Sequence, residues 1–528
     1  MASSINTNFM GMPVEETIPD AAMVRGVSRS SLLTGRRRVR LQPQTGVNYG
    51  TLAATAASSS SAANSIIQFV LADSSSLLDL NSVVVHAQVC VISANNVTGA
   101  ATADASLDDG PSWVRRATIS LNGTNVDDTD LANKMANAYV QAGADRSWYS
   151  GAGSFSGYWA TNPALCVSQS ISIVPGSNVN VAYAVGDLSG AVVAAANRYY
   201  NQGGSTGGAY MSYPLSLVSR FFATKQYLPL SQCGELVIQL LCANNAEAIF
   251  QKPGATDAVY TLQSVFLEAD FVQPHYLYQE MLNKVTQLEG EQGMVIPFSA
   301  VISAQGQSVT SSGQANIVTS LATNNLRRVI VTQSLTDYLT NINYPGTSCF
   351  PNNACTGLQF RVGSLYFPSQ EEVNPAGMFW MLQSAFNHGE PLHQQNGCID
   401  YNLFLKTTAP IYGYPTTSAV NWPTTAAYGT FTGAPNQYWG DSCVLGYGFN
   451  NYKGGEELDA DGISVLGQAG SQLVTLLRIA PNTGTVATNG NAAYATRAKI
   501  GSGVTPNIHL ERTRYIVLRS GSLRVEGV

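Results

Sequence analysis

The chain has 528 residues, 45% hydrophobic and only 11% charged, with a net charge of −6; ordinary soluble domains carry about 25% charged residues. Its length calls for two or more cores, and its net negative charge argues against a protein that coats nucleic acid with its whole surface, which requires clustered Lys and Arg throughout. No apolar run approaches the ~20 residues of a membrane span and the first residues lack the order of a signal peptide, so the expectation is a protein made and assembled inside a cell.

So neutral a surface gives little repulsion between copies and suits a subunit packed against others. A secreted β protein with a Ser/Thr/Asn-rich exterior has the same composition, and the totals do not separate the two.

Residues 1–60 hold no periodic apolar pattern. They contain the basic cluster Arg36, Arg37, Arg38 and Arg40 and end in ATAASSSSAAN, so a flexible N-terminal arm is expected, either solvated or reaching a partner. From Ile66 the pattern turns to β. Ile67–Leu71 and Val83–Val91 read as strands, the second with Val85, Ala87, Val89 and Val91 on one face and His86, Gln88 and Cys90 on the other. Trp113–Val126 reads as a strand with an Asn122-Gly123 turn signal. A helix should follow, capped by Asp127 or Asp128, with Leu131, Met135 and Tyr139 on one side and Gly143 at its end.

The stretch YPLSLVSRFFATKQYLPLSQCGELVIQLLCA, Tyr213–Ala243, predicts two buried strands, PLSLVSRFF and ELVIQLL, cornered at Pro229. Residues 260–272 give another strand, and Leu277, Met281, Val285 and Leu288 share a helical face that predicts a connector helix. The expected domains are a first sandwich over 61–275, a linker helix over 276–293 and a second sandwich over 294–528. In the second half Met294–Ile302, Leu326–Val331 and Leu358–Phe367 read as strands. Asn374 and Pro375 then open a helix with Met378, Leu382 and Phe386 on one side, while Phe379, Trp380 and Met381 are apolar too and require cover from a second direction. After a Tyr/Trp-rich loop over 407–452 come QLVTLLRIA and two terminal strands. A β run, a strand feeding a short helix and more β therefore occurs twice, about 250 residues apart. The fold class is all-β: two consecutive eight-stranded antiparallel sandwiches with short inserted helices.

The stretches WVRRATISLNGTNVDDTDLANKMANAYV, YPLSLVSRFFATKQYLPL and LDADGISVLGQAGSQLVTLLRI resemble double jelly-roll major capsid proteins, the family of adenovirus hexon, tectivirus shells, algal DNA viruses, virophages and polinton-like viruses. The resemblance covers about a third of the chain, by pattern more than by identity. It implies a double jelly roll whose homotrimers present six wedge-like bodies, tile an icosahedral DNA-virus shell by trimer–trimer lattice contacts and meet penton and minor or cement capsid proteins. It also implies a virion location, an arm at Arg36, Arg37, Arg38 and Arg40 facing an inner membrane or genome, and a helix at Met378, Phe379, Trp380 and Met381 lying at a subunit edge. The aromatics Tyr412, Trp422, Tyr438 and Trp439 would stand on outer loops. In the alternative reading, a secreted or surface carbohydrate-binding sandwich, the same aromatics stack on sugars.

Competing chemistry is thin. His388, Glu390 and His393 are the one local set of metal-type ligands, but the spacing fits no established metal motif and the Gly and Pro between them indicate a turn. Glu457–Gly462 begins like a calcium loop, but Gln468 stands where the bidentate Glu is needed. No nucleophile elbow, phosphate loop or dinucleotide fingerprint occurs. Eight cysteines are thinly spread; Cys349 and Cys355 are near enough to bridge a loop, with buried thiols the favoured state. The expectation is no catalytic residue, no metal, no cofactor and no small-molecule substrate.

Overall fold

A computed structural model describes residues 33–51, 59–92, 105–158 (apart from 109, 145–147 and 149–151), 209–276 (apart from 225 and 252–257), 294–335 (apart from 310–312), 346–387 (apart from 349 and 351–354), 404, 443–449, 462–466, 472–479 and 504–527 (apart from 520–521). Sixteen strands build two sandwiches. The first uses β1 (Leu33–Leu41), β2 (Ile66–Leu71), β3 (Val84–Ile92), β4 (Val114–Leu121), β5 (Thr124–Asp130), β6 (Ala209–Pro214), β7 (Leu236–Cys242) and β8 (Val259–Pro274). The second uses β9 (Met294–Gln305), β10 (Gly313–Ser320), β11 (Leu326–Leu335), β12 (Cys355–Val362), β13 (Leu365–Glu372), β14 (Val444–Gly448), β15 (Gln472–Ile479) and β16 (Val504–Arg519).

In the first sandwich the sheets run β6-β3-β8-β1 and β2-β7-β4-β5; in the second they run β14-β11-β16-β9 and β10-β15-β12-β13. Adding eight to each strand of the first order gives the second. All these pairings are antiparallel. Each sandwich is therefore an eight-stranded jelly roll, and the chain is a double jelly roll. The duplication read from the pattern is present strand for strand.

The local chemistry explains the elements. β7, LVIQLLC, buries alternate side chains, and Ile238 and Leu240 are fully enclosed, as period-two apolar residues on a sandwich wall should be. One apolar cluster runs through both rolls, from Phe69, Trp113 and Leu262 to Val331, Phe360 and Ile508. Each such side chain contributes about 1.5–3 kcal/mol by leaving water. The β4–β5 hairpin turns at Asn122 (φ 47°) and Gly123 (φ 77°), both left-handed as a two-residue turn of this hand requires. Its counterpart β12–β13 turns at Gly363 (φ 59°). Because consecutive strands alternate in direction, the connections after odd-numbered strands leave one end of each roll. The longest ones, 131–208 and 373–443, leave that end, each opening with a helix: α1 (Ala132–Gly143) and α2 (Pro375–Asn387).

Several expectations need correction. Leu33–Leu41 is no part of a flexible arm: it pairs along β8 as an edge strand of the first roll, because Val39 and Leu41 face the core while the arginines find partners across the sheet. The first roll thus begins near residue 33. Asp127 and Asp128 do not cap a helix; both lie in β5, where Asp128 pairs with Arg116 across the hairpin, and α1 starts after Leu131, at φ 51°. PLSLVSRFF is two 3-10 turns, at Leu215–Leu217 and Arg220–Ala223, rather than a strand. Leu358–Phe367 is a hairpin rather than one strand. The connector helix lies outside the described residues beyond Tyr276, as do His388, Glu390, His393, Tyr412, Trp422, Tyr438 and Trp439.

Candidate functional site

For a chain made of two like bodies, the side chains that fix one body against the other are the ones that set its outline. Three groups of contacts do this. In the first, β5 of the first roll lies along β9 of the second. Thr129 Oγ1 donates to the Val301 carbonyl at 3.4 Å, and the Arg514 guanidinium of β16 donates to the Val126 carbonyl. Phe221, from the second 3-10 turn, meets Phe298 of β9 edge-on with centroids 5.2 Å apart.

In the second group, α1 covers the outward face of the β11–β16–β9 sheet. That face is polar. Thr505, Asn507, His509, Glu511 and Thr513 alternate along β16 on the side opposite the core residues Ile508 and Leu510, yet each is 5% exposed or less. Tyr139 Oη of α1 donates to Glu511 Oε2 at 2.6 Å. Glu511 also holds Arg328 Nε at 2.9 Å and Arg327 Nη1 at 3.5 Å, all three residues being buried. Arg220 stands over the Tyr139 ring at 5.2 Å and Arg328 over Phe386 of α2 at 5.1 Å. Lys134 Nζ reaches Ser334 Oγ at 3.5 Å, and Asn507 Nδ2 donates to the same hydroxyl at 3.0 Å. Asn137 and Gln141 donate from one face of α1 to the Thr347 and Ser348 carbonyls, at 3.1 and 2.7 Å.

In the third group, that same Thr347-Ser348 segment of the second roll is gripped from the β3–β4 connection of the first. The fully buried Asp108 carboxylate accepts from Thr347 N and Oγ1 at 2.8 Å each, from Ser348 N at 3.0 Å and from the Ser348 hydroxyl. Charge-assisted bonds to a buried carboxylate are roughly twice as strong as neutral ones, and they are directional.

Burial sets the electrostatics. Glu511 is pushed up by desolvation, but Arg328, Arg220 and Arg327 outweigh that and hold it at about 2. Lys134 is lowered to about 8 by burial, and His509, beside it, is lowered to about 3 by burial first and by the lysine second. The imidazole is therefore neutral, and its Nδ1 shares a 2.7 Å bond with Ser303 Oγ. Asp127, enclosed at the edge of the junction, is raised to about 6 by burial in spite of Ser219 and Arg514. A cleft of about 470 Å³ opens there between the rolls, lined by Asp127, Asp128 and Asp130 against Arg116, Arg512 and Arg514. Acid and base balance, so the cleft has no preference for an ion of either sign. Buried ion pairs of this kind add little net stability but penalise any other arrangement, since breaking one costs about 3–5 kcal/mol.

Among the described residues no group of three or more His, Cys, Asp or Glu is placed to hold a metal ion. Of the edge-helix residues, Met378 and Met381 are buried in their own roll and Phe379 rests on Phe404 at 5.3 Å, leaving Trp380 as the exposed one. Arg36 and Arg38 share Asp270, Arg37 holds Asp73, and Arg40 lies 3.2 Å over the Phe266 ring. Of the junction residues, Tyr139 was picked out in the sequence as part of a helix face, whereas Asp108, Lys134, Arg327, Arg328 and Glu511 were not; the signal available was an Arg pair inside the apolar strand LRRVIV.

No protein-family model matches the chain and no curated protein matches it significantly. Its fold is similar to that of solved structures. One is PBCV-1 VP54, fitted into a reconstruction of the virophage Sputnik: TM-score 0.50 at 10% identity, over 95% of this chain and 98% of that one. Another is a chain of the PBCV-1 virus capsid: TM-score 0.50 at 11% identity, over 95% and 98%.

Proposed function

We propose that the chain is a major capsid protein whose homotrimers form six-bodied tiles of an icosahedral DNA-virus shell. The observation that carries this is the repetition of one jelly-roll order within one chain, with the two rolls locked by buried directional contacts rather than joined by a loose linker. A unit made of two like bodies, repeated around a threefold axis, presents six similar edges and can fill a hexagonal lattice position. The full-length likeness to a fold found in a virus capsid supports the reading, as does the low surface charge, which suits flanks covered by neighbours.

The role of the chain is then mechanical, its location the virion, and its partners further copies of itself, penton proteins and minor capsid proteins. The long connections at one end of each roll would face outward. The arginines of β1 remain candidates for the inner face, presented from a strand rather than from a free arm. No catalytic turnover is expected. Light scattering on the purified chain tests the reading: an oligomer of about 170 kDa, three times 56.0 kDa, is expected, and a stable 56.0 kDa monomer under all assembly conditions would refute it.

A further inference from the structure

The six charged side chains that line the cleft between the rolls balance as a count, but they do not pair evenly. Asp128 accepts from Arg116 Nε at 2.6 Å, and Asp130 accepts from Arg115 Nε at 3.1 Å. Arg512 and Arg514, two residues apart on β16, are left with one carboxylate opposite them, that of Asp127. Arg512 donates Nη1 to the Ala322 carbonyl at 3.2 Å, and its Nε has no hydrogen-bond partner; Arg514 donates to the Val126 carbonyl. Two guanidinia side by side and half-buried repel each other: burial first and Arg514 second bring Arg512 down to about 10, with Asp127 acting against them.

Asp127 is enclosed, accepts from the Ser219 hydroxyl and from Thr129 Oγ1 at 3.3 Å, and is raised to about 6 by burial. The other charged groups around it are Asp128 and Asp130 on its own strand, Arg116 on β4, Arg220 next to Ser219, Arg512 and Arg514 on β16, and Arg524 and Glu526 on the terminal strand Ser522–Glu526 that packs along β5. β9, which also packs against β5, carries none. With Asp127 ionised, its carboxylate answers the guanidinia and the cleft favours no ion. With Asp127 neutral, the two guanidinia face a space of about 470 Å³ that holds no anionic partner for them. Small-ligand sites span about 300–1,000 Å³, and the planar donor fork of arginine fits the paired oxygens of a phosphate group.

We propose that this cleft binds a free tetrahedral oxyanion of the phosphate class, held between Arg512 and Arg514 when the Asp127 carboxyl carries its proton. Both rolls line the cleft, Asp127 and Arg116 from the first and Arg512 and Arg514 from the second, so the bound anion fastens one to the other in mild acid. The inference goes beyond the capsid reading and does not depend on it.

Sulfate is the probe, because its charge is constant between about pH 5 and 8 and any pH dependence then belongs to the protein. Isothermal titration calorimetry of the full chain with sodium sulfate, at constant ionic strength, should show saturable binding at pH 5. That binding should weaken about 100-fold by pH 8, where only about one molecule in a hundred keeps the proton on a carboxyl of about 6. Asp127→Asn is neutral at both values and should bind at pH 8 as the parent does at pH 5, a gain that misfolding cannot imitate. Arg512→Gln, checked for parent-like circular dichroism, should bind at least about tenfold more weakly at pH 5. The proposal would be overturned by the absence of saturable heat at pH 5, by equal heat from sodium chloride, by an Asp127→Asn variant that keeps the parent's pH profile, or by an Arg512→Gln variant that binds as the parent does.

Discussion

Replacing Glu511 by Gln should weaken the junction, because it removes the carboxylate whose charge faces Arg220 of the first roll as well as Arg327 and Arg328 of its own roll. The substitution keeps the size and shape of the side chain, and the new amide oxygen can still accept from Tyr139, so the loss isolates the charge. The carboxyl is held at about 2 against an ordinary 4.5, which at about 1.4 kcal/mol per pH unit amounts to about 3 kcal/mol. The independent figure for breaking a buried pair, about 3–5 kcal/mol, agrees. A carboxyl lowered by folding stabilises the fold fully above about pH 4.5 and loses that contribution as pH falls toward 2. Urea unfolding of both proteins at equal concentration should therefore show a gap of about 3 kcal/mol at pH 7 that shrinks to about 1 kcal/mol by pH 3. A gap below about 1 kcal/mol at pH 7, or one unchanged by acid, would refute the view that this charge locks the junction.

Three further outcomes are expected. Lys134→Met removes a buried amine lowered to about 8 from 10.5; the variant should be more stable than the parent below pH 8, by up to about 3 kcal/mol, with the advantage fading between pH 8 and 10.5 as the unfolded lysine also loses its proton. Asp127→Asn should gain on the parent as pH rises from about 4 to 6, by up to about 3 kcal/mol, since the carboxyl at about 6 is ionised in the fold only at a cost; urea midpoints that run parallel across this range would contradict it. Gly448→Val places a side chain where even a Cβ would stand 3.1 Å from the Ala385 backbone of α2, and should lower stability by about 1–3 kcal/mol, read as a lower melting temperature.

The strands whose two faces differ were legible in the sequence. β3, β7 and β15 alternate or run apolar in the usual way, and Asn374 caps α2 as expected, its Oδ1 accepting from Ala376 N at 3.0 Å. The elements at the junction were not. IHLERTRY alternates apolar and charged residues as a half-exposed strand does, but a second body covers the charged side, and nothing local in the chain encodes that cover. For the same reason LTGRRRVRL read as an arm: its arginines are balanced by Asp73, Glu268 and Asp270, which are distant in sequence. Asp127 and Asp128 looked like caps because they precede a helical pattern, whereas the Asn122-Gly123 turn sends them back along β4 instead. Trp380 was visible as one apolar residue too many for a single helix face, and it is the side chain left uncovered.

Particle averaging of the assembled protein by electron microscopy tests the central claim most directly. The prediction is a threefold particle with six upright sandwich bodies around a hexagonal rim, neighbouring bodies joined in pairs with each pair supplied by one chain. A particle with three bodies, or with the two rolls of each chain in unlike orientations, would contradict it.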